Sequence, residues 1–427
     1  MNDNIKFIII FFLSLAQILL LIGGFNWWVD PYDIYHPVEY KSNKPVWMSK
    51  QIRLAKAYRL KKLKPQGIVI GASSSQLGIN PDHPGWGKDI YPRYNLALPG
   101  ASLYESFRYF QHSRALNPPK QVLIGLDFVT FNIFFQLSDD FNESYLVVSR
   151  KGKRQDHYLT NLGITLFSLS AIKASQKKIL YRGKGSHFSN GTEFSESIDS
   201  PIQNNRSAMM SSATRNVSRL LMPPPAHRFC LDDEGSGSMG FKYLREMLEI
   251  AKESKTDVRL FIQPTHVYFM EVLKTLGMMK DYEKWQHQLI NLVEVVNKKY
   301  PEGFEFPLWD FSGYNAVTTD EVPSEKEPKQ PMDLYYDVGH FKKELGDMIQ
   351  DRIFNYHNIG RVIPQDFGIQ INSKNIDMYQ IEQKKKRIEY MLAHQEDVQE
   401  LSEEVNSEKK KIKEFDCDDV DDRKVKL

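Results

Sequence analysis

The sequence predicts an α/β fold: a parallel sheet of about five strands layered between helices, set behind an apolar N-terminal helix and ahead of a charged helical tail. Three observations predict it. Short β-rich runs alternate with segments of helical period, the pattern of parallel strands joined by helices. Residues 5–25, "IKFIIIFFLSLAQILLLIGGF", form an almost unbroken apolar stretch. From about residue 375 onward, Lys, Glu and Asp dominate at helical spacing. With 427 residues and 41% hydrophobic content the chain can build one large core or two ordinary ones. A net charge of +2 and the absence of any nucleic-acid motif set nucleic acid aside as a partner.

The apolar stretch comes first and is long enough to cross a hydrocarbon core of about 30 Å. No small-x-small cleavage site closes it, and Trp27 and Trp28 follow as interfacial aromatics, so it reads as an uncleaved anchor rather than a signal peptide. Lys6 lies on the short side and Asp30, Asp33 and Glu39 follow the span, which places the N-terminus in the cytoplasm and the body on the extracytoplasmic side of an inner or plasma membrane. Between Lys41 and Lys64 stand nine basic residues and no acid, read as one solvated helix face, with attraction to anionic head groups or an anionic glycan as the other reading.

The strands expected next are "GIVIG" (67–71), "RYNLAL" (93–98), "QVLIGLD" (121–127), "DVRLFIQP" (257–264) and "GFEFPLW" (303–309), with helices at 102–115, 239–255, 282–299 and 341–356. The long connection from 130 to 240, with a helix-like stretch at 163–180, reads as an insertion that covers the site. The chain therefore divides into an anchor (1–28), a basic juxtamembrane helical segment (29–64), an α/β domain (65–360) and a helical or disordered tail (361–427) lying outside the fold. Cys230 and Cys417 show no metal-ligand spacing, and Cys230 reads as a small core residue.

Chemistry is suggested by "GASSS", 71–75, at the carboxyl end of the first strand, where open α/β sheets place their sites. A serine becomes a nucleophile when a histidine takes its proton, a carboxylate orients that histidine and N–H groups hold the oxyanion. "YYDVGHF" supplies Asp337 and His340 three residues apart, before the last helix of the domain. A second D-x-x-H, Asp33 and His36, follows the anchor directly and is taken as a chance copy. The G-x-S-x-G elbow does not fit, because Ser75 stands where its second glycine belongs; the frame G-A-S makes Ser73 the nucleophile, with its own N–H available to an oxyanion. Asp310, at the end of the last strand, reads as a cap or turn residue, with a place bordering the site as the other reading. With no phosphate-cradling loop and no metal cluster, no cofactor or metal is expected.

These blocks resemble the SGNH (GDSL-like) hydrolase superfamily. "GAS" is similar to its first block, "YNLALPG" to its second with Asn95 and Gly100, and Asp337-x-x-His340 to its fifth, in the family's order. The resemblance implies a flavodoxin-like three-layer α/β/α domain, a Ser73–His340–Asp337 triad, and an oxyanion hole built from the N–H groups of Ser73 and Gly100. The third block departs, since "GLDF" puts Asp127 where the family has an asparagine donor; either Asp127 is protonated or turned away, or another donor such as Asn132 replaces it, or the site is catalytically weak. With its anchor and its "GLDF", the chain is most similar to the cell-envelope branch, although Ser74 stands where that branch commonly has arginine. That likeness implies a membrane-anchored serine esterase or O-acyltransferase working on acyl, chiefly acetyl, esters of an envelope or extracellular polysaccharide, with a membrane acyltransferase as a possible partner. The alternative is a non-catalytic, membrane-anchored binding or assembly subunit of such a system.

Overall fold

The computed structural model describes residues 3–37, 39, 51–180, 187–193, 204–231 and 239–417. The first ten residues of the basic run, parts of the insertion and the end of the tail lie outside the described residues. In chain order the elements are α1 (Asp3–Val29), α2 (Ile52–Leu63), β1 (Gly67–Ile70), α3 (Ser73–Gly78), β2 (Arg93–Asn95), α4 (Leu103–Leu116), β3 (Gln121–Leu126), α5 (Tyr158–Leu166), α6 (Leu169–Leu180), α7 (Asn205–Asn216), α8 (Met239–Glu253), β4 (Asp257–Ile262), α9 (Val267–Leu276), α10 (Met279–Lys299), β5 (Leu308–Asp310), α11 (Lys343–Phe354), β6 (Ile369–Gln370), α12 (Ile376–Ala393) and α13 (Gln395–Lys409).

The fold is α/β around one six-stranded sheet in the order β2-β1-β3-β4-β5-β6. The five strands expected from the sequence are present and parallel; the sheet is nevertheless mixed, because a short sixth strand, β6, pairs antiparallel with β5. Every residue of β1 and β3 is buried, as strands covered on two faces require. Register aligns the carboxyl ends: Ile70 pairs with Ile124, Leu126 with Ile262, and Ile262 with Asp310. The loops after β1, β3, β4 and β5 therefore leave along one edge.

α1 carries no acid or base between Lys6 and its end, and it is the one helix among the described residues long and apolar enough to cross a membrane. At about 1.5 Å per residue its 27 residues reach about 40 Å.

Three sequence expectations change here. In its described part the basic run is not one solvated face, because Arg53, Lys56 and Arg59 of α2 are buried while Lys62 and Lys64 are exposed. Arg53 donates to Glu105 at 2.8 Å and Asp140 at 2.7 Å, and Lys56 to the carbonyls of Asn95, Ala97 and Gly191 at 2.6–3.0 Å. Burial pushes the Lys56 ammonium down to about 7. Glu105 doubles as a cap: its carboxylate accepts from the Ser102 N–H while its own N–H donates to Ser102 Oγ, closing a capping box on α4.

The tail, expected outside the fold, packs on it. Leu401 and Val405 of α13 are buried against α9, Arg387 pairs with Glu271 at 2.8 Å, and Arg206 of α7 bridges to Asp397 and Glu400. Cys230 is not a free core residue but is disulfide-bonded to Cys417, beside Phe134 and Ala226. Asp310 is a turn residue as expected: its carboxylate accepts from the Ser312 N–H at 2.8 Å and from Gln286 at 2.6 Å.

Candidate active site

The three serines open α3, where successive side chains point about 100° apart. Each hydroxyl therefore meets a different partner. Ser73 Oγ lies 2.8 Å from His340 Nε2. Ser74 Oγ donates to the Gly339 carbonyl at 2.6 Å, tying α3 to the loop that carries His340. Ser75 Oγ points under the sheet edge and accepts from Gln263 Nε2 at 2.6 Å. Gly71 and Gly125 make room for it: a Cβ would stand 2.5 Å from Ser75 Oγ at Gly71 and 2.3 Å at Gly125.

His340 is held by its own loop. Its Nδ1 lies 2.9 Å from both oxygens of Asp337, which also accepts the N–H groups of Gly339 (2.8 Å) and His340 (3.0 Å). A carboxylate only accepts, so Nδ1 carries the proton and Nε2 faces Ser73 as an acceptor. The loop is fixed to the sheet edge by the His266 N–H donating to the Val338 carbonyl (3.0 Å) and by Tyr335 O–H donating to the Pro264 carbonyl (2.9 Å). Burial pushes the Asp337 carboxyl up, but the bond and charge of His340 and the two N–H groups outweigh it and hold it below the carboxylate range. Burial likewise pushes His340 down, and Asp337, Asp127 and Glu193 together raise it above its ordinary value.

The remaining sequence candidates separate. The segment after β2 runs beside β1, with Leu96 N–H on the Val69 carbonyl (2.8 Å) and Leu98 N–H on the Gly71 carbonyl (3.1 Å), which carries the turn holding Gly100 to the end of β1 from which α3 starts. Gly100 has φ +60°, and a Cβ there would meet nothing within 4 Å, so the backbone faces open space. Asn95 is buried bracing: its Nδ2 donates to the carbonyls of Ser75 and Ile79 at 2.8 Å each. Asn132 is occupied elsewhere, accepting from the Phe134 N–H and donating toward the Leu221 and Arg228 carbonyls, so it does not stand in for the missing donor. Asp127 leaves β3 beside the site, bonded to Gln263, and burial pushes its carboxyl up to about 7 against the pull of His340.

Asp33 and His36 stay apart from this group; the His36 ring packs against Trp27. Two contributors escape sequence reasoning. Gln263 follows β4 in an unremarkable "IQP" and links Ser75 to Asp127. Glu193, from the insertion, reaches the surroundings of His340 because residues 187–193 lie against α3 and β2: its N–H donates to the Gln76 carbonyl (3.2 Å), and the Asn95 N–H donates to the Asn190 carbonyl (2.8 Å). Among the described residues no group of three His, Cys, Asp or Glu side chains is arranged to hold a metal ion.

No protein-family model matches the chain, and no curated protein matches it.

Proposed function

We propose that this chain is a membrane-anchored serine esterase or O-acyltransferase of SGNH type. The observation that carries the reading is the unbroken Asp337–His340–Ser73 hydrogen-bond chain at 2.9 and 2.8 Å, ending on a half-buried hydroxyl at the strand edge. Ser73 Oγ attacks the acyl carbon as His340 Nε2 takes its proton. The negative charge on the carbonyl oxygen is met by the N–H groups of Ser73, in the first turn where no helical carbonyl competes for it, and of Gly100. His340 returns the proton to the departing alkoxide. Water then takes the acyl group from Ser73 in hydrolysis, and a sugar hydroxyl takes it in transfer.

The strand order β2-β1-β3-β4-β5 supports a flavodoxin-like three-layer arrangement for the domain. A disulfide supports an oxidising, extracytoplasmic location for the body. The acetylated envelope polysaccharide as substrate, and a membrane acyltransferase as donor partner, rest on the likeness of the sequence blocks. The competing reading, a non-catalytic assembly subunit, is favoured by one feature, the carboxyl at Asp127. A serine-directed phosphonate decides between them, together with acetate release from acetyl esters by wild type, Ser73→Ala and His340→Ala. Labelling of Ser73, and turnover lost in both variants while they stay folded, supports the enzyme; an unlabelled, inactive wild type supports the subunit.

A further inference from the structure

The insertion carries two helices for which the proposed chemistry has no use. α5 and α6 contain three lysines, Lys173, Lys177 and Lys178, and no acid. Large apolar side chains stand outward among them: Leu159 is 81%, Leu169 76% and Leu180 79% exposed, with Tyr158 and Ile179 alongside and the polar Thr160, Ser170 and Gln176 between. Soluble surfaces seldom cluster such side chains without something to cover them.

The inner side of this pair is fastened to the end of α1. The Phe167 ring lies so close to Gly23 that a Cβ there would stand 2.7 Å from it. Asn26, buried, donates to the Leu166 carbonyl at 2.7 Å and accepts from Ser175 Oγ at 2.8 Å, and Lys178 Nζ donates to the Asp30 carbonyl at 2.7 Å. These contacts fix a depth. From Ile5 to Gly23 an α-helix rises about 27 Å, close to the roughly 30 Å of a hydrocarbon core. Phe167 therefore meets α1 where it leaves the bilayer, one turn before the exposed Trp27 and Trp28.

We propose that α5 and α6 lie in the bilayer interface on the side of the body, with Leu159, Leu169 and Leu180 at the acyl boundary and the exposed Lys173 and Lys177 drawing anionic phospholipid. The proposal rests on reading α1 as a membrane span. Lipid is preferred over a second copy or a partner protein because the apolar surface continues that of α1 and the two helices themselves carry only positive charge, with Asp156 just ahead of α5, the composition of interfacial helices that enter by about 5–10 Å. A single spanning helix leaves the body free to tilt; a second contact sets the height of Ser73 above the membrane.

The test uses the full chain in phosphatidylcholine vesicles containing phosphatidylglycerol, spin-labelled one site at a time at Leu13→Cys, Leu169→Cys, Leu180→Cys and Ile359→Cys, with Cys230 and Cys417 occupied by their bond. Collision with oxygen reports lipid, and collision with a water-soluble nickel chelate reports solvent. At Leu13, Leu169 and Leu180 nickel collision should fall several-fold below that at exposed Ile359, while oxygen collision rises. Leu13 in lipid with Leu169 and Leu180 as nickel-accessible as Ile359 overturns the proposal alone, as does shielding of both from both reagents, which would mean a protein covers them. Leu13 in water overturns the anchor reading and this proposal with it. In phosphatidylcholine alone the Leu169 label should become more nickel-accessible; equal access in the two lipids overturns the anionic-lipid assignment.

Discussion

Asp127→Asn isolates the feature that sets this site apart. If the Asp127 acid form donates to the oxyanion, activity needs that proton present and the His340 proton absent. With Asp127 near 7, about a tenth of molecules keep the proton at pH 8 and about a hundredth at pH 9. Wild-type kcat/KM should therefore fall about tenfold per pH unit above neutrality, down to a floor of about 10²–10³-fold, the worth of one oxyanion donor. Asparagine donates at every pH, so this alkaline loss should vanish in the variant. The acid side carries a second sign. His340 must be neutral to accept from Ser73, it is raised partly by Asp127, and removing that charge should move the acid limb to lower pH. Because the two groups attract one another, the wild-type limbs belong to the pair and not to either residue. The assay is blank-corrected hydrolysis of an acetyl ester from pH 5 to 9. An Asp127→Asn profile that keeps the wild-type alkaline limb, or that is lowered equally at every pH, refutes the reasoning.

Other outcomes follow from the packing. Ser75→Ala leaves one N–H of the Gln263 amide unmet in the core and should cost about 1–3 kcal/mol of stability with turnover retained, whereas Ser73→Ala should abolish turnover with little loss of stability; thermal unfolding beside the esterase assay checks both. Gly346 touches α3 so closely that a Cβ would lie 1.8 Å from the Gly78 carbonyl, so Gly346→Ala should cost about 1–3 kcal/mol and lower kcat by moving Ser73 away from His340. His112 and His266 each accept a backbone N–H at Nδ1 (from Val147, 3.0 Å, and Tyr268, 3.2 Å) and lie within 3.0 and 2.8 Å of a carbonyl at Nε2. Both are locked neutral, and burial pushes each down to about 4. Their folded values are depressed, so stability is kept above about pH 6.5 and lost as pH falls toward 4, by up to about 2.7 kcal/mol per pH unit for the pair. Urea midpoints of the full chain in detergent measure this, and a flat line between pH 6.5 and 4.5 would sink the assignment.

Much of the sheet is legible in the sequence because β1 and β3 are buried along their length and β4 over its last three residues, and so read as short apolar runs between turns. The pairing of Ser73 with Asp337 and His340 is legible for a similar reason: both blocks sit at strand exits or before helices, where local pattern marks them. What stays hidden depends on partners far along the chain. The basic residues of α2 read as solvated because Glu105 and Asp140, which hold Arg53, lie 52 and 87 residues away. Nothing near Cys230 announces Cys417, at a separation of 187. β6 is two residues long, too short for any periodicity. The stretch at 163–180 reads as one helix, yet it breaks near Phe167 and Ser168, where Phe167 turns onto Gly23.

A run of three identical residues suggests redundancy, one serine standing ready to replace another. The first turn of α3 excludes it. A shift of one position swings a hydroxyl by about 100°, from His340 to a backbone carbonyl, and a further shift takes it into the core beside Gln263. Loss of Ser73 therefore cannot be rescued by its neighbours. Deletion of any one serine leaves hydroxyls in the first two places and brings the larger Gln76 into the third, where Gly71 and Gly125 leave room only for a serine, so the three places are filled for three different reasons.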